Sequence, residues 1–282
     1  MKSGTILLLG ATNSGKSTLI NQIVGQRVSM VSRKKQSTTF NQKAVRNISE
    51  AEFIIQDTPG IFSAKTKISN KMTNTAFSGI DEADIVLVVV DTGVTKNNEL
   101  KKIITTLNQN NNNLKIFLVL NKIDKVNRQS VLEKIKELGD TNLFNEIFPI
   151  SALLGDGVDE MLSIIKNYLP QRKKKFSSKK TLLLKKDIYY TEVTREKIYD
   201  RTHKEIPYEC MVSTDKVVNS KKMITIHQTI HITKKSHKYI LVGNKGVNLK
   251  NIGESARKEI SKFMNKKVNL FLFVKLTSTN KS

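Results

Sequence analysis

An eight-residue segment near the start of the chain combines glycines, a lysine and a serine at a spacing suited to holding phosphate. Residues 10–17 read GATNSGKS and match the pattern GxxxxGK[ST], directly after an apolar run. In such a loop successive backbone N–H groups point toward one place, and the positive end of the following helix also attracts an anion. Lys16 would reach the outer phosphates of a nucleotide, and the Ser17 hydroxyl would bind Mg²⁺. The loop therefore predicts a nucleotide site rather than an ordinary turn with incidental glycines. Its predicted contacts are Gly10, Ala11, Thr12, Asn13, Ser14, Gly15, Lys16, Ser17 and Thr18.

A second segment with phosphate chemistry is DTPG at 57–60, which follows the apolar run 53–55. Asp57 would hold Mg²⁺ through a water molecule, and the Gly60 N–H would bond the γ-phosphate. A Pro-Gly pair alone is ordinarily a turn, so this interpretation depends on the phosphate loop earlier in the chain. The predicted nucleotide contacts of the segment are Asp57, Thr58, Pro59, Gly60 and Ile61.

The segment NKID at 121–124, after the apolar run 116–120, predicts which base the nucleotide carries. The Asp124 carboxylate can accept hydrogen bonds from both the ring N1–H and the 2-amino group of guanine. Adenine has neither donor, and a buried, unpaired carboxylate beneath it would cost about 1–3 kcal/mol or more. Asn121 would tie this loop to the phosphate loop, and Lys122 would lay its stem along the base. The segment favours a guanine nucleotide and argues against the alternative of an ATP-dependent phosphotransferase.

The segment SAL at 151–153 would complete the base site, because the Ala152 N–H could donate to the guanine O6. The DTPG, NKID and SAL segments are each a weak signal alone, whereas the phosphate loop is not. In this order, each directly after an apolar run, they together predict a guanine-nucleotide site. The predicted base contacts are Asn121, Lys122, Ile123, Asp124, Ser151, Ala152 and Leu153.

The apolar runs that position these segments read as strands buried in a mostly parallel sheet. Those runs are 6–9, 53–55, 85–90, 116–120 and 147–150, and the helical candidates between them are 17–25, 68–80, 97–109, 129–138 and 157–168. Ligands of doubly wound sheets bind beyond the carboxyl ends of the strands, where the four segments fall. We predict an α/β domain over residues 1–170, with helices on both faces of the sheet.

Positive charge is concentrated after Pro170. Residues 171–282 hold 27 Lys and Arg against 9 Asp and Glu, whereas residues 1–170 hold 21 against 16. Such asymmetry predicts an anionic polymer or surface as partner, and nucleic acid is the commoner case. The stretch RKKKFSSKK lies in a predicted linker at 171–187, which would be either a solvated tether or a direct phosphate contact.

A small α+β domain is predicted over residues 188–282. Helical spacing marks 189–202 and 247–264, and strand patterns mark 208–213, 224–232 and 268–276. Residues 243–246 read GNKG between two helical segments, as in the loop with which a KH domain clamps about four unstacked nucleotides. The predicted RNA contacts are Gly243, Asn244, Lys245, Gly246, Lys250 and Arg257. We expect Tyr208, Phe263 and Phe271 to be core residues rather than platforms for bases.

The chain resembles the Era GTPases in segments spread over nearly its whole length. The matching segments are SRKKQST at 32–38, DTPGI at 57–61, REK at 195–197, EIPY at 205–208, GNKG at 243–246 and IGESARKEI at 252–260. The resemblance implies a P-loop GTPase domain followed by a type II KH domain. It further implies a protein that hydrolyses GTP with Mg²⁺, binds 16S rRNA near its 3′ end and acts in assembly of the 30S ribosomal subunit. A non-enzymatic RNA-binding module with a structural GTP site stays open as the alternative.

The resemblance also assigns the metal ligands. Mg²⁺ would be held by Ser17, by Asp57 through water and by Thr38, with Thr39 as the alternative to Thr38. The γ-phosphate would order two switch segments, 31–42 and 60–76, and hydrolysis would release them.

Ile61 stands where Ras-like enzymes carry the glutamine that orients the attacking water. Hydrolysis would therefore rely on positioning and charge neutralisation. In related GTPases with this apolar residue, the counterpart of Asn13 helps to hold K⁺, so the resemblance implies stimulation by K⁺. The predicted catalytic residues are Lys16, Thr38, Gly60 and Asn13.

The composition excludes several other classes of protein. The single cysteine, Cys210, allows no internal disulfide and is typical of a reducing cytosol. The purest apolar run, 85–90, is far shorter than the roughly 20 residues of a membrane span. We therefore expect a soluble, cytoplasmic monomer. Weak peripheral contact of the basic third with the inner face of the cell membrane stays open as a further interpretation.

Overall fold

The computed structural model describes residues 1–25, 42–61, 76–94, 98–110, 114–139, 143–176, 186–202 and 210–277. These residues form two compact units, 1–176 and 186–277. No helix in the described ranges is both long enough and apolar enough to cross a membrane.

The first unit is a six-stranded sheet with the strand order β2-β3-β1-β4-β5-β6. Its strands are β1 (Lys2–Leu9), β2 (Gln42–Ile48), β3 (Ala51–Asp57), β4 (Ile85–Asp91), β5 (Lys115–Asn121) and β6 (Glu146–Ile150). Its helices are α1 (Lys16–Val24), α2 (Asn98–Asn110), α3 (Arg128–Gly139) and α4 (Val158–Tyr168). The five predicted strands and four of the five predicted helices are confirmed. Most of the remaining predicted helix, 68–80, lies outside the described residues.

The sheet is parallel except for β2, which runs antiparallel to β3 at one edge. The sequence analysis missed β2 because its segment, QKAVRNI, is mostly polar and only Ala44 and Val45 are described as buried. An edge strand has one neighbour and needs no continuous apolar run, so its pattern is weak.

The sheet is buried on both faces. In β1, Ile6 and Leu8 belong to one apolar cluster, while Leu7 and Leu9 belong to another. Neighbouring residues of a strand point to opposite faces, so an unbroken apolar run is required when helices cover both. This arrangement leaves the carboxyl ends of the strands as the place for polar groups.

The register aligns those carboxyl ends. Asp91 at the end of β4 lies opposite Asn121 at the end of β5, and Asn121 lies opposite Ile150 at the end of β6. The loops after β1, β3, β4, β5 and β6 therefore emerge along one edge of the sheet.

The residues after Pro170 begin bound to the first unit. Gln171 forms an isolated antiparallel bridge with Lys2. The buried Glu52 carboxylate accepts hydrogen bonds from Ser3 Oγ at 2.6 Å and from the backbone N–H groups of Lys175 and Phe176 at 2.9 Å each. The predicted linker, 171–187, thus starts with six residues attached to this unit, and residues 177–185 lie outside the described ranges.

The second unit is a three-stranded sheet with helices on one face. Its strands are β7 (Cys210–Asn219), β8 (Met223–Ile232) and β9 (Lys267–Leu276), and its helices are α5 (Lys186–Arg201), α6 (Lys235–Val242) and α7 (Val247–Met264). β8 is central, antiparallel to β7 and parallel to β9. The predicted alternation along β8 is confirmed, because each even-numbered residue is buried and each odd-numbered one from Thr225 to His231 is only half-buried.

One buried position of β8 is polar. The Gln228 Oε1 accepts a hydrogen bond from Thr194 Oγ1 at 2.6 Å, and its Nε2 donates to Thr214 Oγ1 at 3.1 Å. These two bonds satisfy the amide in the core and join β8 to α5 and β7.

The expectation that Phe271 is a core residue is wrong. Its side chain is 48% exposed, because odd positions of β9 point away from the helices. Phe263 is half-buried and packs against Tyr189, with ring centroids 4.2 Å apart. Tyr208 lies outside the described residues.

Candidate functional site

The phosphate loop joins β1 to α1 as the sequence predicts. Asn13 and Gly15 have positive φ values of 64° and 100°, so the chain turns sharply before the helix begins at Lys16. A Cβ at Gly15 would overlap the Asn121 amide nitrogen, so only glycine lets the two loops approach. The turn directs the N-terminus of α1 into the concave side of the loop, where an anion is favoured.

Lys16 lies inside this loop and is 5% exposed. Its ammonium group donates hydrogen bonds to the carbonyls of Gly10 at 3.0 Å and Ala11 at 2.9 Å. Burial lowers the pKa of the Lys16 amine to about 8, and the Asp57 carboxylate opposes this shift. The lysine is thus positioned at the loop, and its charged form is less stable there than it would be in water.

An oxygen pair lies beside Lys16. The Ser17 hydroxyl donates to Asp57 Oδ2 at 2.9 Å, joining the start of α1 to the end of β3. A hydroxyl and a carboxylate at a phosphate loop are the hard oxygen ligands that Mg²⁺ prefers, so the donor set fits that ion. Thr38, the third predicted ligand, and Thr39 lie outside the described residues.

The DTPG segment is bound directly to the phosphate loop. Ile61 N–H donates to the Gly10 carbonyl at 3.0 Å, and Thr12 N–H donates to the Ile61 carbonyl at 3.2 Å. A Cβ at Gly60 would come within 2.7 Å of Thr12, so glycine is required for this approach. The Thr58 hydroxyl donates to the Leu8 carbonyl at 2.6 Å and anchors the segment on β1.

The Ile61 side chain is fully buried among apolar residues of the sheet, including Leu9 and Val88. It points into the core and carries no polar atom. The side chain at this position therefore has no means of orienting a water molecule.

Asn121 joins three loops. Its Nδ2 donates to the Ser14 carbonyl at 2.9 Å, as the sequence analysis expected of a tie to the phosphate loop. Its Oδ1 accepts from the Ala152 N–H at 2.9 Å. The expectation assigned this N–H to the guanine O6, whereas here it satisfies the buried Asn121 amide.

Asp124 is held in place by the SAL segment. The Ser151 hydroxyl donates to Asp124 Oδ1 at 2.7 Å and accepts from the Leu154 N–H at 3.2 Å. Asp124 itself lies in the single-turn helix Ile123–Lys125 and is exposed to solvent. The neighbouring Leu153 is also exposed. A carboxylate supported in this way can present its second oxygen to a ligand.

Asp91 is a site residue that the sequence analysis missed. Its carboxylate accepts a hydrogen bond from Lys122 Nζ at 2.6 Å, and the same ammonium donates to the Asn13 carbonyl at 2.6 Å. Lys122 is thereby stretched between β4 and the phosphate loop. The available signal was that Asp91 directly follows the apolar run 85–90, as the other site residues follow theirs.

Four of the six predicted RNA contacts form the loop between α6 and α7, and the other two lie on α7. The single-turn helix Asn244–Gly246 joins α6 to α7, and Gly243 has φ 73° and ψ 178°, a conformation open essentially to glycine alone. A cleft of about 380 Å³ is lined there by Gly243, Asn244, Lys245, Val247, Asn248 and Asn251. Lys250 and Arg257 are exposed seven residues apart on α7, so they share a face of the helix.

The chain matches two protein families over separate regions. Residues 5–122 match the family described as 50S ribosome-binding GTPase, and residues 205–280 match the KH domain. The GTPase Era of Bradyrhizobium diazoefficiens is 38% identical over 98% of this chain and 89% of its own length. The chain belongs to the Era family of GTPases. The GTPase Era of Syntrophus aciditrophicus is 37% identical over 98% of this Era-family chain and 90% of its own length.

Two solved Era structures share the fold of this Era-family chain. Aquifex aeolicus Era, a variant bound to GDP and AlF₄⁻, has a TM-score of 0.92 at 32% identity and covers 99% of this chain and 95% of that one. An Era in complex with MgGDPNP and nucleotides 1506–1542 of 16S ribosomal RNA has a TM-score of 0.91 at 31% identity, with the same coverage. The predicted fold, a P-loop GTPase domain followed by a KH domain, is confirmed.

Proposed function

We propose that this chain binds GTP with Mg²⁺, hydrolyses it to GDP and phosphate, and binds RNA of the small ribosomal subunit near the 3′ end of 16S rRNA during 30S assembly. The observation that carries the proposal is one edge of a sheet on which Lys16, the Ser17–Asp57 oxygen pair and Asp124 are held together. The Era that binds MgGDPNP and 16S rRNA resembles this chain over both units. The proposed location is the cytoplasm, where the small subunit is assembled.

Ser17 and Asp57 would hold the Mg²⁺, Asp57 through water, and Thr38 would add a ligand from the first switch segment. Bound there, the ion supplies charge neutralisation to the β- and γ-phosphates. The roles of the protein side chains follow from their positions. Lys16 neutralises phosphate charge, the Gly60 N–H bonds the γ-phosphate, and Ile61 contributes no base because it is buried in the core.

We infer that hydrolysis depends on positioning the γ-phosphate and the attacking water and on neutralising the phosphate charge. These two effects account for most of the catalysis of phosphoryl transfer. Asn13 lies at the tip of the phosphate loop with a left-handed backbone and an exposed side chain. An amide oxygen there is suited to hold a K⁺ ion near the β- and γ-phosphates. Turnover is therefore faster in K⁺ than in Na⁺, and Asn13→Ala removes the difference.

Single-turnover hydrolysis of GTP with Mg²⁺ tests the proposed enzyme against a structural GTP site. The experiment compares initial rates in KCl and NaCl for the unaltered chain, for Asn13→Ala and for Asn108→Ala, an exposed asparagine on α2 that serves as the control. Bound GTP that is never hydrolysed would support the structural site. Equal rates in the two salts for a working enzyme would remove only the K⁺ role.

The RNA function is tested with a 16S rRNA fragment that ends at the 3′ terminus. We expect its affinity for the chain to differ between a non-hydrolysable GTP analogue and GDP, because the γ-phosphate would order the switch segments. Identical affinities would remove the switch. Absence of binding in both states would remove the proposed RNA partner.

A further inference from the structure

The face of the second sheet that points away from α6 and α7 carries exposed aromatic side chains. Phe271 is 48% exposed and Phe273 is 59% exposed, while the alternate residues Leu272 and Val274 pack against the apolar core. Two exposed phenylalanines on one strand face form an apolar patch in contact with water. Contiguous exposed apolar patches mark sites where a protein binds another molecule.

The strand register gathers three rings on this face. β8 and β9 are parallel, with His227 opposite Phe271 and Thr229 opposite Phe273. The rings of His227 and Phe271 are stacked, with centroids 4.9 Å apart and planes at 14°. Phe273 follows Phe271 by two residues, which spaces the side chains by roughly 7 Å along the strand. We call His227, Phe271 and Phe273 the ring patch.

Basic residues surround the ring patch. Lys216 of β7 lies opposite His227, and Lys275 follows Phe273 on the same face of β9. At the end of the sheet where β8 and β9 begin, four further lysines lie in or beside the strand ends: Lys221, Lys222, Lys266 and Lys267. Asp215 is the one carboxylate within the three strands, and it accepts hydrogen bonds from Ser213 and Thr229.

We propose that the ring patch stacks the bases of single-stranded RNA. It would be a second RNA contact, on the sheet face opposite the loop 243–246, which we call the GxxG loop. The RNA recognition motif stacks two or three bases on aromatic rings of a sheet in this manner, and such stacking tolerates any base. The surrounding lysines complement the phosphate backbone, which favours RNA over an apolar protein surface. This inference rests on the proposed RNA function and extends it to another face.

The first experiment uses the absence of tryptophan from the chain. Phe271→Trp places the single tryptophan of the full chain in the ring patch, where it can be excited selectively over the six tyrosines. The probe is the 16S 3′-terminal fragment. A stacked base quenches indole emission, so RNA at saturating concentration quenches this variant. Leu132→Trp, at a 56% exposed position on α3 of the first unit, is the control and keeps its emission. Unquenched emission in Phe271→Trp at saturation overturns the proposal.

The second experiment compares RNA affinities. The double variant Phe271→Ala, Phe273→Ala binds the fragment about tenfold more weakly or worse, because base–aromatic stacking is lost. Leu132→Ala keeps the affinity of the unaltered chain, and equal circular dichroism spectra establish that the double variant is folded. Unchanged RNA affinity in the folded double variant overturns the proposal. This holds even if sedimentation shows that the ring patch instead mediates self-association of the chain.

A variant of the GxxG loop separates this inference from the proposed function. Lys245→Glu weakens RNA binding through that loop without touching the ring patch. If Lys245→Glu weakens binding and the ring variants do not, the ring patch fails and the proposed function stands. If the unaltered chain binds no RNA, both fail.

Discussion

At the scale of single residues, the side chains of the nucleotide site are held by one another. Lys122 is bound to Asp91 and to the phosphate loop, Asn121 bridges two loops, and Asp124 is supported by Ser151. These hydrogen bonds hold each side chain near the position that it takes in binding. A ligand therefore binds with little further loss of side-chain entropy.

Asp124 determines the base in our interpretation, and its substitution should redirect the preference. In Asp124→Asn the amide oxygen can still accept the N1–H, but the amide NH₂ faces the guanine 2-amino group. Xanthine carries a carbonyl at that place, so the variant should prefer xanthosine over guanosine nucleotides. We expect the affinity for GDP to fall about 100-fold or more, since a charged hydrogen-bond pair is lost and two donors oppose each other.

Competition of GDP and xanthosine diphosphate for a fluorescent nucleotide measures this change. Asp156→Asn, in the loop before α4, is the matched control and should keep the guanine preference. A variant Asp124→Asn that still prefers GDP would show that Asp124 does not read the base.

Lys16 should make nucleotide affinity depend on pH. Its pKa in the nucleotide-free protein is lowered to about 8 by burial. Phosphates favour the ammonium form, so binding takes up a proton where the free amine is partly neutral, and the affinity for GTP falls as the pH rises through about 8. Calorimetry at about pH 8 in two buffers of different ionisation enthalpy counts the proton taken up. Lys16→Arg, which stays charged, should take up none; equal uptake in both proteins would contradict the assignment.

At the scale of elements, Glu52 ties the end of the first unit to its sheet. One buried carboxylate joins Ser3 of β1 to the backbone of residues 175 and 176. The segment after Pro170 is therefore held by hydrogen bonds as well as by its bridge to Lys2. Five of its six residues, 171–175, are basic or polar, and that composition alone would not predict such attachment.

Glu52→Gln should release this segment and destabilise the unit. The neutral amide offers one acceptor oxygen where the carboxylate offers two, so at least one buried donor is left unsatisfied. We expect the free energy of unfolding to fall by about 1–3 kcal/mol in urea followed by circular dichroism. Trypsin should also cut faster at the lysines 173–175. The exposed neighbour Glu50→Gln should change neither quantity, and a stable, protease-resistant Glu52→Gln would contradict the anchoring role.

At the scale of the whole molecule, the two units carry different charge. The excess of Lys and Arg in residues 171–282 lies on the part that contains the KH domain, whereas the nucleotide unit is nearly balanced. A polyanion should therefore be attracted to the second unit over long distances, and more strongly at low salt.

The salt dependence of RNA binding measures these phosphate contacts. The logarithm of affinity for single-stranded RNA should fall linearly with the logarithm of salt concentration, with a slope of about −0.7 per phosphate contact. Lys250→Ala with Arg257→Ala should make the slope shallower by about 1–2. Lys101→Ala with Lys102→Ala, two exposed lysines of α2, should leave it unchanged. An unchanged slope in the first pair would exclude those residues from the phosphate path.

The sequence alone determined five of the six strands of the first sheet, the fold class and the family. Short apolar runs, glycine loops and the alternation along β8 are local patterns, and local patterns can be read along the chain. The apolar run before each of the four nucleotide segments places that segment at the end of a strand. The edge strand β2 was missed because its residues are mostly polar.

Only the tertiary structure decided which residues meet. Asn121 contacts a loop 107 residues earlier in the chain, Glu52 binds residues more than 120 positions later, and Phe271 is exposed although it is apolar. The partner of a polar group and the face of a strand that helices cover depend on packing between distant segments. These contacts satisfy buried polar atoms and bury apolar area together, so they exist only when the whole unit is folded.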